Sequence, residues 1–288
     1  MGETASGKTS LAEGIASELN ALLVNADSFQ VYRGIDIGTA KPTNKSKYLL
    51  LDIRDPHETF SVGEFVEIAR TICEEAWQQG RSVVFVGGTG LNLRALFEEY
   101  ADLASAPDSA LRNELNAKLE RNGLDSLVVE LEALDPAAHA RIDLANPVRV
   151  IRAIERARMD SSVVSTVLPP FRKFKFALTT PQALLNVRIE NRVKEMVQNG
   201  WTLEIERLRE QGYRPQDAGF RAIGYRAMWD VVEGVSNLEQ AVEATIVETR
   251  QYAKRQRTWL RSEPNLIRLS ADTESALLGN ALREIDVN

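Results

Sequence analysis

Cysteine and histidine are nearly absent from this chain of 288 residues. Cys73 is the single cysteine, which excludes a disulfide framework and any cysteine-rich zinc module. One thiol fits a reducing compartment, so a cytoplasmic protein is expected. His57 and His139 are the only histidines, which argues against a histidine metal site or a Ser-His-Asp triad. Metal chemistry would have to use oxygen ligands. No apolar run approaches membrane-spanning length, and no signal peptide is visible. Internal repeats and low-complexity segments are missing too. The remainder, 44% hydrophobic and 26% charged, is an ordinary globular composition with enough chain for one large domain or two smaller ones.

The most informative stretch stands at the start. Gly2-Glu3-Thr4-Ala5-Ser6-Gly7-Lys8-Thr9 matches the phosphate-cradling pattern G-x-x-x-x-G-K-S/T. Gly2 and Gly7 let the backbone turn so that the loop's N–H groups, those of Thr4, Ala5 and Ser6 included, point at phosphate oxygens. Lys8 adds a point charge, and Thr9 offers a hydroxyl to Mg²⁺. The helix that follows aims the positive end of its dipole at the same spot. Such a loop normally follows a buried strand near the middle of a sheet. Only Met1 precedes it here, so that first strand is expected to be missing.

Downstream, Leu11, Ile15 and Leu19 recur every four residues and predict a helix over 9–19. Apolar runs at 21–24, 49–53 and 83–86 read as strands, the last of them fully buried. Between them Ser61 caps a strong amphipathic helix that Gly80 stops. Strand and helix in alternation predict an α/β fold, a P-loop-type parallel sheet with helices on both faces. Ligands of such sheets bind at the carboxyl ends of the strands, where the phosphate loop, Asp27 and Thr89 all fall. From 101 to 146 short helical stretches punctuated by Pro107, Gly123 and Pro136 replace the alternation. The division expected is a core of 1–104 and 146–288 with a small all-helical insertion at 105–145. Residues 174–179 return to the sheet, and long helices follow at 182–198, 201–211 and 238–262.

A standard P-loop nucleotidase places an acidic Mg²⁺ ligand at a buried strand end. Here the 83–86 run ends in Gly87-Gly88-Thr89-Gly90, so Asp27 is the remaining acid. It is open to three readings: Mg²⁺ orientation, general base, or a plain turn residue. The glycines around Thr89 serve either close ligand approach or tight packing. Net charge is −6, yet positive charge is local. Arg149, Arg152 and Arg156 share one helix face, and Arg250, Lys254, Arg257 and Arg261 share another, with Arg255 beside them. Trp259 interrupts the second stripe, as a ring that stacks on an unpaired base would. RNA backbone and bulk solvent are the two readings of these stripes. Arg221-Ala222-Ile223-Gly224-Tyr225-Arg226 is a compact segment suited to a diphosphate, to RNA, or to a helix start. Cys73, Trp77 and Trp201 read as packing residues.

Taken together, these pieces resemble the bacterial tRNA dimethylallyltransferase family. The resemblance is carried by residues 2–9, by Ala26-Asp27-Ser28-Phe29-Gln30-Val31-Tyr32-Arg33-Gly34-Ile35-Asp36-Ile37-Gly38-Thr39-Ala40-Lys41-Pro42, and by the segments 51–56, 86–90, 146–153, 224–229 and 254–261. They run in the family order over nearly the whole chain. The resemblance implies transfer of a dimethylallyl group from dimethylallyl diphosphate to the exocyclic N6 amine of the adenosine 3′ to the anticodon, with Mg²⁺. It implies a flipped base entering a channel, a helical domain near the anticodon stem-loop, and a monomer without membrane association. Asp27 is then the general base and Thr89 lies near the reacting centre. Gly2, Thr4, Ala5, Ser6, Gly7, Lys8, Thr9 and Arg221 hold diphosphate, with Thr9 on the metal. Ser28, Phe29 and Gln30, with Asp27, read the base. Arg149, Arg152, Arg221, Gly224, Tyr225, Arg226, Arg250, Lys254, Arg255, Arg257, Trp259 and Arg261 face the tRNA. Two alternatives stay open: a P-loop kinase of a small alcohol, and a non-catalytic RNA-binding relic.

Overall fold

The structure is a computed structural model that describes residues 1–98, 109–158, 168–270 and 273–287. Its first half contains α1 (Lys8–Glu18), β1 (Leu22–Asn25), β2 (Tyr48–Leu49), α2 (Val62–Gln78), β3 (Val83–Val86) and α3 (Gly90–Phe97). Then come α4 (Ser109–Leu134), α5 (Pro136–His139) and α6 (Pro147–Arg158). The remainder is β4 (Lys175–Leu178), α7 (Gln182–Gln198), α8 (Trp201–Glu210), α9 (Tyr225–Val232), α10 (Leu238–Arg261), β5 (Leu266–Leu269) and α11 (Glu274–Val287). Among the described residues no helix is long and apolar enough to cross a membrane.

The chain divides into two compact units, one of residues 1–97 with 168–288 and one of residues 98–167. In the first unit every strand pair is parallel, as the strand–helix alternation requires. One sheet has the order β2-β1-β3, with Leu22 opposite Val83 and Asn25 opposite Val86. A second pairs β4 with β5, Lys175 opposite Leu266. Gly2 adds an isolated parallel bridge to Leu178. β2 is shorter than its apolar run because Leu50 and Asp52 take φ values of 64° and 54°, outside the strand region. β3 is half-buried, not fully buried, because only its β1 edge is paired. A capping box of Ser61 and Glu64 starts α2 as the sequence predicts.

The largest core of this unit is aromatic. Trp201, Phe220, Tyr225 and Trp229 are buried together, with Phe220 and Trp229 edge to face at 4.9 Å. Val31, Tyr32 and Ile35 pack into the same cluster, so the 27–42 segment is seated on α8 and α9. Trp201 is thus a packing residue, whereas Trp77 stays 47% exposed beside Phe171.

The second unit is helical. α4 and α6 enclose Leu115, Leu127, Leu131, Val150, Ile151 and Ile154, and α4 kinks at Gly123, where φ is 76°. The apolar face of α6 supplies half of that core, so the unit continues past residue 145, where the sequence pattern alone drew its boundary. Glu155 of α6 is fully buried and takes a two-pronged bond from Arg112 at 2.6 and 2.7 Å.

Candidate active site

Residues 2–7 form a tight loop ahead of α1. Gly7 takes φ 88° and caps α1, and Ala5 takes φ 60° despite its side chain. Ser6 N–H closes the turn on Glu3 O at 3.3 Å. The loop is held from outside by α10. Thr4 N–H donates to Gln256 Oε1 at 2.8 Å, and Arg257 Nε meets Glu3 Oε1 at 2.5 Å. The same Gln256 donates from Nε2 to Gly88 O at 3.0 Å. One side chain therefore ties the loop to the turn after β3.

That turn is close-packed. A Cβ on Gly87 would lie 2.5 Å from the Ala26 carbonyl carbon, one on Gly88 2.3 Å from Gln256 Nε2, and one on Gly90 2.3 Å from Trp259 Nε1. The glycines at 87, 88 and 90 thus admit other parts of the chain. The turn brings Thr89 against the end of β1, where its Oγ1 accepts from Ser28 N–H at 3.2 Å. Asn92 secures the junction, donating from Nδ2 to Ala26 O and Ser28 Oγ at 3.3 Å each. Asp27 follows β1. Its N–H donates to Asn25 Oδ1, and its Oδ1 accepts from Phe29 N–H, both at 3.0 Å.

Residues 4–9, Asp27, Gln30, Tyr48 and Arg192 line one cavity of about 310 Å³. Burial, with Arg192 next and Asp27 opposing, pulls the Lys8 amine down to about 8. Burial likewise lowers the Arg192 guanidinium from its ordinary value, against the pull of Asp27. Two cations and one carboxylate thus share a confined space, an arrangement that an anionic ligand stabilises. A neighbouring cavity of about 390 Å³ shares Arg192, Ala40 and Pro42 with the first.

The 27–42 segment that roofs these cavities is locked from within. Gln30 Nε2 donates to Thr39 O at 2.9 Å and to Ala40 O at 3.3 Å. Lys41, its side chain 1% exposed, bridges Asp36 Oδ1 at 2.7 Å and Asp52 Oδ1 at 2.5 Å. Glu204 of α8 accepts from Ile37 N–H at 2.8 Å and from the buried Tyr225 hydroxyl at 2.6 Å. Burial raises the Glu204 carboxyl above its ordinary value, against the hydrogen bonds that favour its charge.

The sequence model of the IPP transferase family matches residues 30–263. The chain belongs to the IPP transferase family. It is 38% identical to the tRNA dimethylallyltransferase of Methylococcus capsulatus, over 99% of this chain and 95% of that protein. The crystal structure of a tRNA isopentenylpyrophosphate transferase from Bacillus halodurans is 35% identical, covers 99% of this chain and 94% of its own, and superposes with a TM-score of 0.72. A eukaryotic dimethylallyltransferase acting on tRNA shares the fold at 22% identity, with a TM-score of 0.77 over 99% of this chain and 78% of its own.

The 2–9 loop, Asp27 and Thr89 lie at one sheet edge, and Gln30 lines the same cavity as the loop and Asp27. Other expected contacts fall elsewhere. Arg221 is exposed and is not part of the lining of the loop cavity. Tyr225 is buried with its hydroxyl on Glu204, so it supports the roof and does not face RNA. Gly224 is enclosed as well, a Cβ there falling 2.4 Å from Trp201. Arg226 is exposed and pairs with Asp230 at 3.2 Å.

The two stripes divide in the same way. Arg257 turns onto Glu3 and Gln182, and Arg250 meets Glu190 at 3.4 Å. Trp259 carries the Arg94 guanidinium on its ring at 3.9 Å, where an RNA base was expected. Lys254, Arg255 and Arg261 remain exposed on α10. On α6, Arg152 is drawn to Glu155 at 3.1 Å, while Arg149 stays open to solvent 3.9 Å from Asp143. The IPP transferase residues that sequence reasoning passed over are Arg192 and Gln256. Arg192 sits in a charged run and reads as solvated, and Gln256 is masked by the arginines around it.

Proposed function

We propose that this chain transfers a dimethylallyl group from dimethylallyl diphosphate to the N6 amine of the adenosine 3′ to the anticodon in tRNA. The observation that carries the reading is the shared cavity: a carboxylate, Asp27, faces the same space as the phosphate loop, Lys8 and Arg192. An adenine amine is a weak nucleophile because its lone pair is delocalised. As its nitrogen bonds to the allylic carbon, Asp27 accepts the proton it sheds. The C–O bond breaks at the same carbon, and charge gathers on diphosphate. The loop N–H groups, Lys8 and Arg192 stabilise that charge in place.

The donor set suits Mg²⁺. Thr9 and Asp27 both line the cavity, and a Mg²⁺ ion takes few protein ligands alongside phosphate oxygens and water. The ion would add further neutralisation of the leaving diphosphate. Thr89 and Ser28 hold the end of β1, and Gln30 holds the roof over the base. Lys254, Arg255 and Arg261 on α10, and Arg149 in the helical unit, are among the exposed cations available to tRNA phosphates. One chain carries every group used, so a monomer suffices, and the substrate places the work in the cytoplasm.

The test combines unmodified tRNA with labelled dimethylallyl diphosphate. Asp27→Asn keeps the Oδ1 acceptor for Phe29 but cannot take a proton. Its turnover is expected to fall about a hundredfold while tRNA affinity is kept. Unchanged turnover removes the base role. Bound tRNA that never gains label would mean a relic, and label passing from ATP to a small alcohol would mean a kinase.

A further inference from the structure

Asn25 is the last residue of β1 and is 1% exposed. A buried amide needs a partner for each of its polar atoms, and this one spends them on the turn that follows. Its Oδ1 accepts from Asp27 N–H at 3.0 Å, and its Nδ2 donates to Asp27 O at 3.1 Å. The same Nδ2 donates to Leu50 O at 3.0 Å. An N–H only donates and a carbonyl only accepts, so these three partners dictate which end of the amide is which. Asparagine commonly bonds the N–H two residues on and closes a local turn. Asn25 goes further: it grips both backbone groups of one residue and ties them to Leu50, where the chain leaves β2 at φ 64°.

The residues on either side are held by other elements. Ala26 N–H donates to Val86 O of β3 at 2.8 Å, and Ala26 O accepts from Asn92 of α3 at 3.3 Å. Ser28 N–H donates to Thr89 at 3.2 Å. Among the described residues, the backbone groups of Asp27 bond to Asn25 and to nothing else. The Asp27 side chain is aimed from that fixed point. Its Oδ1 accepts from Phe29 N–H at 3.0 Å, and its Oδ2 carries no hydrogen bond among the described residues. Asp27 lines the cavity of Lys8 and Arg192, so Oδ2 is the oxygen left to meet a substrate there.

We propose that Asn25 is the positioning residue of Asp27, fixing the backbone from which the carboxylate is aimed and leaving Oδ2 as the atom that takes the proton. The inference rests on the function proposed above. As the adenine nitrogen bonds to the allylic carbon, its N–H proton passes to Oδ2 and the N–H electron pair stays on nitrogen. The C–O pair leaves with diphosphate, and no further reactant is needed. Without the clasp Asp27 keeps its charge but loses its direction, so turnover falls while the loop still holds the donor.

The test uses unmodified tRNA and labelled dimethylallyl diphosphate. Asn25→Leu removes the clasp, and its kcat is expected to fall about a hundredfold with both KM values within about threefold of the parent's. Asn25→Ser keeps an acceptor for Asp27 N–H and should recover about tenfold of that loss. In an Asp27→Asn background, Asn25→Leu should cost less than about threefold more, because its effect passes through the carboxylate. Amide exchange at Phe29, whose N–H meets that carboxylate, should quicken about tenfold or more in Asn25→Leu. An unchanged kcat, a loss carried by KM, or losses that multiply in the double variant overturn the proposal. A parent chain that transfers no label overturns the proposed function instead, and exchange at Phe29 then decides by itself whether Asn25 aims Asp27. Should Asn25→Leu not fold, Asn25→Ser carries the same comparisons with about tenfold in place of a hundredfold.

Discussion

Gln256→Leu is the sharpest probe of how the site is held. The leucine has similar bulk but loses both the acceptor for Thr4 N–H, at 2.8 Å, and the donor for Gly88 O, at 3.0 Å. Gln256 is buried, so both backbone groups are left without their partner in a place that water enters poorly. An orphaned buried polar group costs about 1–3 kcal/mol, so the pair is worth roughly 2–6 kcal/mol, partly offset by the apolar contacts of leucine. For a chain of this size that corresponds to a fall in Tm of about 5–10 °C. Stability is only half of the expectation, because the freed groups belong to the phosphate loop and to the turn that carries Thr89. Calorimetric affinity for inorganic diphosphate should fall about tenfold or more, and allyl transfer should fall further still, since it needs loop and turn in register. Gln256→Glu separates the two bonds: it keeps the acceptor for Thr4 but sets a carboxylate against Gly88 O. If Gln256→Leu melts and binds diphosphate like the parent chain, the clamp described here does not hold the loop.

Two further outcomes follow from charge. Lys8 has a folded-state pKa of about 8 against an ordinary 10.5, so burying its charge costs stability below pH 8, and that cost is relieved as pH rises from 8 to 10.5. Diphosphate binding has the opposite sign, because it needs the protonated amine: affinity should fall by up to about tenfold per pH unit above 8, and Lys8→Met, read by titration calorimetry, should abolish that slope. Lys41→Met leaves Asp36 and Asp52 without their buried cation, although Lys45 still reaches both at 2.7 and 2.9 Å. The loss should be about 3–5 kcal/mol by urea melting, with faster proteolysis within residues 33–45; an unaltered melt would mean that Lys45 alone suffices.

Much of this site is legible in the sequence, for a reason visible in each residue. The 2–9 segment can be read because its glycine pattern calls for the left-handed turn that Gly7 takes, at φ 88°. Asp27 and Thr89 can be read because parallel sheets place strand ends together. Spacing along α10 reports which residues share a face, but not what that face meets. Arg257 finds Glu3 far back in the chain, and Arg250 finds Glu190 on another helix, so two members of the basic stripe are internal struts. Arg192 is hidden for the converse reason: burial, not local sequence, separates a cation in a pocket from one in water. The helical unit's boundary was misplaced because the apolar face of α6 serves a core that only the folded partners reveal. β5 is four residues without alternation, whereas α11 is announced by Thr273, whose Oγ1 accepts from Ala276 N–H at 3.2 Å as an N-cap.

α10 has one more consequence. Gln256 grips the loop on one side of the rod, and Lys254, two residues earlier, projects from the other. A polyanion that tugs or rolls this rod moves the grip with it. Under the proposed function, docking of the large substrate on α10 is expected to change the affinity for the small one.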